Sequence, residues 1–344
     1  MAASRPPSSP PRCWPAFAED TTPVTSVPFD KVVTTDGNTF APDTYFEVDV
    51  KSALGGSATI DGDTVTVKDG IDDVLSVADV HSTPNAAEGT QASYIFDGAI
   101  TVDATKLAGH EPGIYHYTIN EKTGNYEGID YDTKTYDVYV YYVNNDALTA
   151  QYVKAVIVTL NNAKVGEGSF TFTNNYDDND TPEDDGKIHD VIVTKNVEGS
   201  LATMSDTFTF EVGVTGADGE VYKVVYTQNG EPVTTSVTSG TPITVSGIGD
   251  EDTIHIYGLS ESDTYTVTEQ DGTTNGYTVT DTDEDSAAGT VNGNATADNT
   301  AASITNTKDA STPTGIVMNV APYVLLVVVA AAGCFVFMRK RRED

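Results

Sequence analysis

Six polar residues stand where an apolar side chain belongs. Lys31 is in phase with Val27, Phe29 and Val33, and Lys195 with Val191, Val193 and Val197. Glu121 follows Tyr115, Tyr117 and Ile119 at alternate positions, and Glu269 follows Tyr265 and Val267. Asn174 is in phase with Phe170, Phe172 and Tyr176, and Asn306 with Ile304. Alternate residues of an extended strand face the same side, so this parity turns all six inward. A lone amine or carboxyl buried away from water costs several kcal/mol, and each therefore needs a partner.

Two kinds of partnership meet that need. One is a pair of buried Lys–Glu ion pairs, and strands that turn their opposite face inward would remove the need altogether. The other is covalent. Burial lowers the pKa of an amine and raises that of a carboxyl. A neutral amine beside a carboxamide carbon then attacks it, while a protonated Glu polarises the Asn carbonyl and relays protons. Ammonia leaves, and the side chains end joined by an amide bond. Proximity in a dry core supplies most of the acceleration. Two copies of Lys, Glu and Asn in the same order favour the covalent outcome.

The elements that hold these residues repeat as well. Each half opens with a strand carrying one Lys, Phe29-Asp30-Lys31-Val32-Val33 or Val193-Thr194-Lys195-Asn196-Val197. Each has a late Tyr-Thr-x-x-Glu strand, Tyr117 to Glu121 or Tyr265 to Glu269, and each closes on Thr-Asn at 173–174 or 305–306. Between Glu19 and Thr314 there are only seven Leu, too few for helical cores, while Thr, Val and Tyr alternate with a period of two. Strands are predicted at Tyr136–Val143, Gln151–Leu160, Ser169–Tyr176, Val191–Val197, Thr207–Val214 and Thr264–Glu269. Asp61-Gly62, Asp69-Gly70, Asp218-Gly219, Asn229-Gly230 and Asp271-Gly272 mark turns. The acidic run 177–186 cannot bury itself and is expected to link two domains. The chain is thus expected to be all-β, with one β-sandwich at 19–176 and another at 187–308.

Composition excludes several functions. Acids outnumber bases 52 to 18, a net charge of −34, which argues against nucleic acid or anionic lipid as the main partner. All five Arg and both Cys (Cys13, Cys334) fall outside residues 19–314, so disulfides, thiol catalysis and Cys-ligated zinc are absent there. The five His, at 81, 110, 116, 189 and 255, show no metal spacing. Asp281, Asp283 and Asp285 have the spacing that opens a calcium loop. However, Ser286 replaces the required Gly, and Asn292 stands where the bidentate Glu belongs, so a solvated acidic hairpin is expected. Neither a P-loop nor Gly-x-Ser-x-Gly occurs, and no carboxylate pair stands out for glycoside hydrolysis. No metal or cofactor is expected, and no turnover enzyme.

The ends carry processing signals. Ile316 to Met338 is almost wholly apolar and is followed at once by Arg339-Lys340-Arg341-Arg342, the pattern of a transmembrane helix with a cytoplasmic basic tail. Alone, it reads as a tail anchor. Thr312-Pro313-Thr314-Gly315 stands directly before it. Motif, span and basic tail together resemble the sorting signal of Gram-positive surface proteins, although the Leu and spacer residue of the usual Leu-Pro-any-Thr-Gly are missing. That resemblance implies a sortase cut between Thr314 and Gly315 within a sorting segment at 309–344. Ala16-Phe17-Ala18 before Glu19 fits a signal-peptidase site, but Ser8, Ser9 and five Pro replace the apolar stretch such a signal needs. Residues 1–18 are therefore expected to be an aberrant export signal from a misassigned start.

The whole layout, over residues 27–342, resembles the isopeptide-linked domains of Gram-positive backbone pilins and CnaB-type surface adhesins. The resemblance implies two tandem Ig-like (CnaB-type) β-sandwiches with bonds Lys31–Asn174 and Lys195–Asn306, catalysed by Glu121 and Glu269. Asn175 is a rival for Asn174, but its parity points outward. It further implies a Lys that accepts the sortase-held Thr of another subunit. Lys164, in a Gly- and Asn-rich loop before the closing strand, is the candidate, with Lys154 and Lys187 as alternatives. The pilin motif Tyr-Pro-Lys-Asn is absent. The implied partners are a sortase, identical subunits in a covalent homopolymer, minor pilins and peptidoglycan, with the membrane touched only through the precursor's helix. The implied location is the outer surface of a Gram-positive cell. A monomeric wall-anchored adhesin with a host ligand is the alternative.

Overall fold

Strands dominate because Thr, Val and Tyr, β-branched or aromatic, suit a pleated half-buried surface. The computed structural model describes residues 22–310, apart from 167, 177–187, 271, 273, 274, 284, 285 and 297–299. Among them the one helical element is a short 3₁₀ turn at Ala104–Leu107. The predicted acidic linker, the N-terminal signal and the C-terminal span lie outside the described residues.

The first sandwich is framed by β1 (Ser26–Thr34), β2 (Ser93–Val102), β3 (Gly113–Glu121), β4 (Thr135–Asn144), β5 (Gln151–Leu160) and β6 (Thr171–Asn175). β1 pairs antiparallel with β2 and parallel with β6. The facing sheet runs β5, β4, β3. The second sandwich is framed by β7 (Ile188–Glu198), β8 (Phe208–Thr215), β9 (Val221–Gln228), β10 (Thr253–Ser260), β11 (Thr264–Glu269) and β12 (Thr300–Thr307). β7 again lies between an antiparallel neighbour, β10, and a parallel one, β12, while β8 and β11 pair in the facing sheet. In each half, the first and last strands run side by side in the same direction.

Each pair of sheets closes on its own core. In the first, Phe29, Phe170, Phe172 and Tyr136 form a ring cluster with centroids 4.9–5.9 Å apart. Phe29 lies opposite Gly98 on β2, and a Cβ there would fall 2.3 Å from its ring. Glycine is required at that position by the closeness of the ring.

The strand expectations hold with small shifts. β5 and β11 have the predicted bounds, β7 begins earlier, at Ile188, and β6 is shorter than Ser169–Tyr176. Asp61-Gly62 and Asn229-Gly230 form two-residue hairpins with positive φ at both positions, as such turns demand. Asp69-Gly70 is not a hairpin turn. Gly70 donates its N–H to the Ala53 carbonyl, and a Cβ would lie 2.4 Å from the His116 carbonyl oxygen, so the glycine serves close backbone passage.

The halves meet through a buried polar cluster. Tyr126 and Tyr176 of the first donate hydroxyls to Glu220 Oε1 of the second, at 3.0 and 2.9 Å. Tyr222 donates to Glu220 Oε2 at 2.6 Å, and its oxygen lies 3.0 Å from Asp263 Oδ2. Burial, with the Glu220 charge, raises the Asp263 pKa from 3.8 to about 6. Ile188 packs with Val33, Phe46 and Tyr176 beside this cluster, and Lys223 Nζ donates to Asn38 Oδ1 at 2.8 Å.

Candidate functional site

The parallel pairing of first and last strands sets the geometry. Lys31 lies opposite Phe172 and Val33 opposite Asn174; in the second half Lys195 lies opposite Ile304 and Val197 opposite Asn306. Amine and carboxamide are therefore offset by two residues in both halves, and a period of two keeps them on one inward face. The Glu comes from the facing sheet each time, Glu121 closing β3 and Glu269 closing β11.

In the first site Glu121 bridges the other two. Lys31 Nζ donates to Oε2 at 2.9 Å and Asn174 Nδ2 donates to Oε1 at 2.7 Å. Lys31 and Asn174 are both 0% exposed, so water cannot substitute for either partner. The Phe46 ring lies under the amine, 4.3 Å from centroid to nitrogen. Burial outweighs the attraction of Glu121 and lowers the Lys31 pKa from 10.5 to about 8. Burial likewise raises Glu121, against the opposing pull of Lys31. Both shifts move the pair toward neutral amine and neutral acid, the forms that amide exchange requires.

The second site repeats the plan. Asn306 Nδ2 donates to Glu269 Oε1 at 2.6 Å. Lys195 Nζ lies 3.2 Å from Glu269 Oε2, close enough for an ion pair but not aligned as a hydrogen bond. It donates instead to the carbonyls of Asn196 and Ile304, at 3.1 and 3.4 Å. Phe208 lies under it at 4.5 Å. Lys195 is 2% and Asn306 0% exposed.

Asn175 points away from this core, and its Oδ1 accepts from Thr34 Oγ1 at 2.8 Å. Lys164 is exposed in a two-residue edge strand, Ala163–Lys164, opposite Thr159 on β5, and Lys154 is exposed on β5. Lys187, Thr314 and Gly315 lie outside the described residues. The segment after Asp281 is not the expected hairpin, because the strands flanking it, Thr278–Asp281 and Thr290–Asn294, pair in different sheets. Asp281 and Asp283 are occupied within that connection, Asp281 Oδ2 accepting from Gly289 N, and Asp283 Oδ2 from Ser286 Oγ and Asn292 N. Among the described residues no cluster of His, Cys, Asp and Glu has a metal-binding arrangement. His81, His116 and His255 each sit within 3.1 Å of an Asp carboxylate and stack on a Tyr.

Sequence reasoning missed three residues of the first site and its counterpart. Phe46 and Phe208 wall the amines; Phe208 is in phase with Phe210 and Val212, a signal that was present, whereas Phe46 closes a strand of three residues. Asp132 also touches the first site, with its backbone N–H 2.9 Å from Asn174 Oδ1. It lies in the irregular segment between β3 and β4, where no period exists to read.

Residues 27–177 match a family described as Spy0128-like isopeptide containing domain, and residues 189–308 match a domain of unknown function, DUF7601. A pilin of Streptococcus pyogenes serotype M1 is 27% identical over 255 residues, covering 70% of this chain and 71% of that protein. The crystal structure of the major pilin from Streptococcus pyogenes superposes with a TM-score of 0.54 at 20% identity, covering 83% of this chain and 99% of the other. The T3.2 major pilin of the same species gives 0.53 at 20% identity, with coverage of 84% and 99%. These two likenesses establish the fold.

Proposed function

We propose that this chain, which is similar to the streptococcal pilins, is the backbone subunit of a covalently polymerised pilus on a Gram-positive cell wall. Two Ig-like (CnaB-type) sandwiches, 19–176 and 187–308, form its shaft around the linker 177–186. Each is braced by one amide bond, Lys31–Asn174 or Lys195–Asn306, made once and not turned over. Glu121 and Glu269 are the catalytic residues. A sortase cuts between Thr314 and Gly315 and passes the Thr314 carbonyl to Lys164 of another copy, and the last subunit goes to peptidoglycan. The chain is exported, and its C-terminal helix holds the precursor in the membrane until that cut.

The observation that carries this reading is the triad itself, built twice with one register offset. In each copy the carboxamide nitrogen is bonded to one oxygen of a buried Glu, and the amine lies within ion-pair range of the other. Such a site in a structural ion pair has no need of an Asn, since a carboxylate and an amine already satisfy each other. Peptide mapping of the full chain by mass spectrometry tests it. Branched peptides joining 31 to 174 and 195 to 306 are expected, each short of one ammonia. Glu121→Ala is expected to abolish the first and Glu269→Ala the second. Unmodified side chains at all four positions refute the proposal. A wall extract is expected to show a ladder of SDS-resistant multimers that collapses in Lys164→Arg; a single band would indicate a monomeric adhesin instead.

A further inference from the structure

We propose that Asp132 supplies the oxyanion donor of the first crosslink and that its own side chain holds that donor in place, an inference that rests on the crosslinking reading above. Asn174 Oδ1 faces a backbone N–H, which can only donate, so the amide has one consistent orientation, with Nδ2 toward Glu121. The Asp132 N–H lies 2.9 Å from Oδ1, within the range that stabilises charge on that oxygen.

The reaction needs such a donor at one moment. Neutral Lys31 Nζ bonds to Asn174 Cγ, and the π pair of the C=O moves onto Oδ1. The new ammonium gives a proton to Glu121, and Glu121 gives one to Nδ2. The Cγ–Nδ2 bond then breaks, ammonia leaves, and the pair on Oδ1 re-forms the carbonyl. Through that interval Oδ1 carries the negative charge, and the Asp132 N–H is already aimed at it.

The side chain of Asp132 fixes the aim. It is 4% exposed, and its hydrogen bonds run to the segment it must hold. Oδ2 accepts from the backbone N–H of Thr173, the residue before Asn174, at 2.7 Å. Oδ1 accepts from Lys134 N and Oδ2 from Lys134 Nζ, both at 2.7 Å. Asp130 and Asn175 exchange backbone hydrogen bonds of 2.9 and 3.1 Å alongside. Residues 130–134 are thereby laid against β6 on both sides of Asn174. Burial pushes the Asp132 carboxyl up, but these donors outweigh it and keep the group below the usual range, hence ionised. Among the described residues the second site shows no equivalent, and Asn306 Oδ1 has no hydrogen-bond partner.

The two sites in one molecule give the experiment its internal clock. The full chain is translated cell-free with pulse label and quenched in acid, and both branched peptides are followed over time. In the parent, the 31–174 bond is expected to form faster than the 195–306 bond. Asp132→Ala is expected to slow the 31–174 bond by about an order of magnitude or more, leaving 195–306 unchanged. Asp132→Asn, which keeps an oxygen for the Thr173 amide, should recover part of the rate, a graded rescue that a general loss of stability would not produce. Equal 31–174 rates in parent and Asp132→Ala overturn the inference while leaving the crosslink intact. Should Asp132→Ala lose both bonds through misfolding, Asp132→Asn decides by the ratio of the two rates: a lowered ratio supports, and the parental ratio overturns. A parent chain that never forms 31–174 overturns both this inference and the first-half crosslink.

Discussion

Lys31 shows what a dry core does to a single amine. Its burial outweighs the attraction of Glu121, so its proton is held more weakly in the folded chain, with a pKa of about 8, than in the unfolded one at 10.5. Between those values the unfolded state binds more protons, so the stability of an uncrosslinked chain rises with pH across that window. Asn174→Ala removes the carboxamide and keeps the amine. Urea unfolding of Asn174→Ala against the double variant Lys31→Met/Asn174→Ala isolates the effect: the single variant should gain on the double from pH 8 to pH 10. A difference that stays flat refutes the shift. All six inward residues were legible from parity alone, because a strand offers only two faces and five of the six have apolar neighbours at two or more in-phase positions. Asp132 was not, because its role comes from a backbone N–H, which every non-proline residue has and no residue type announces.

At the level of the strand, the parallel pairing brings distant positions together. Bonding 31 to 174, or 195 to 306, closes a loop of more than 100 residues. By the chain-entropy argument used for disulfides each is worth about 5 kcal/mol. Glu121→Ala should therefore lower the melting temperature by about 10–20 °C, measurable by calorimetry, whereas a fall of a degree or two would mean no bond was lost. Gly98 tests the packing of the same sandwich. Because a Cβ would sit 2.3 Å from the Phe29 ring, Gly98→Val should cost about 1–3 kcal/mol in denaturant unfolding; an unchanged midpoint would show the ring free to move. The Asp-Gly and Asn-Gly hairpins were readable because both central residues need positive φ. Asp69-Gly70 was misleading, since a glycine can also serve a close crossing of backbone, and nothing local distinguishes the two.

Across the molecule, Glu220 ties two sandwiches through two tyrosine hydroxyls of the first, those of Tyr126 and Tyr176. These contacts join positions 44 to 94 residues apart, which no local pattern encodes, so the junction was invisible until the sheets were placed. Glu220→Ala leaves buried hydroxyls without their acceptor, at about 1–3 kcal/mol each where water cannot enter. Small-angle scattering should then show a broader spread of inter-sandwich distances, and an unchanged profile would show the apolar contacts around Ile188 suffice. Asp263 adds a pH term of definite sign. Its folded pKa is raised from 3.8 to about 6, so its contribution is full below pH 3.8 and is lost as pH climbs past 6. Mild acid should tighten the junction.

The side-by-side, same-way course of β1 and β6 decides how a load would travel. If 31 and 174 are bonded as proposed, a tug on the two ends enters at one pole and departs at the other, along two neighbouring ribbons stitched together. Residues 32–173 lie off that route. Drawn straight they would reach about 500 Å, and none of that slack can be paid out while the stitch holds. On the proposed reading, a fibre of such units would resist flow as an inextensible cord does, snapping at its weakest covalent bond rather than lengthening by surrendering its folds.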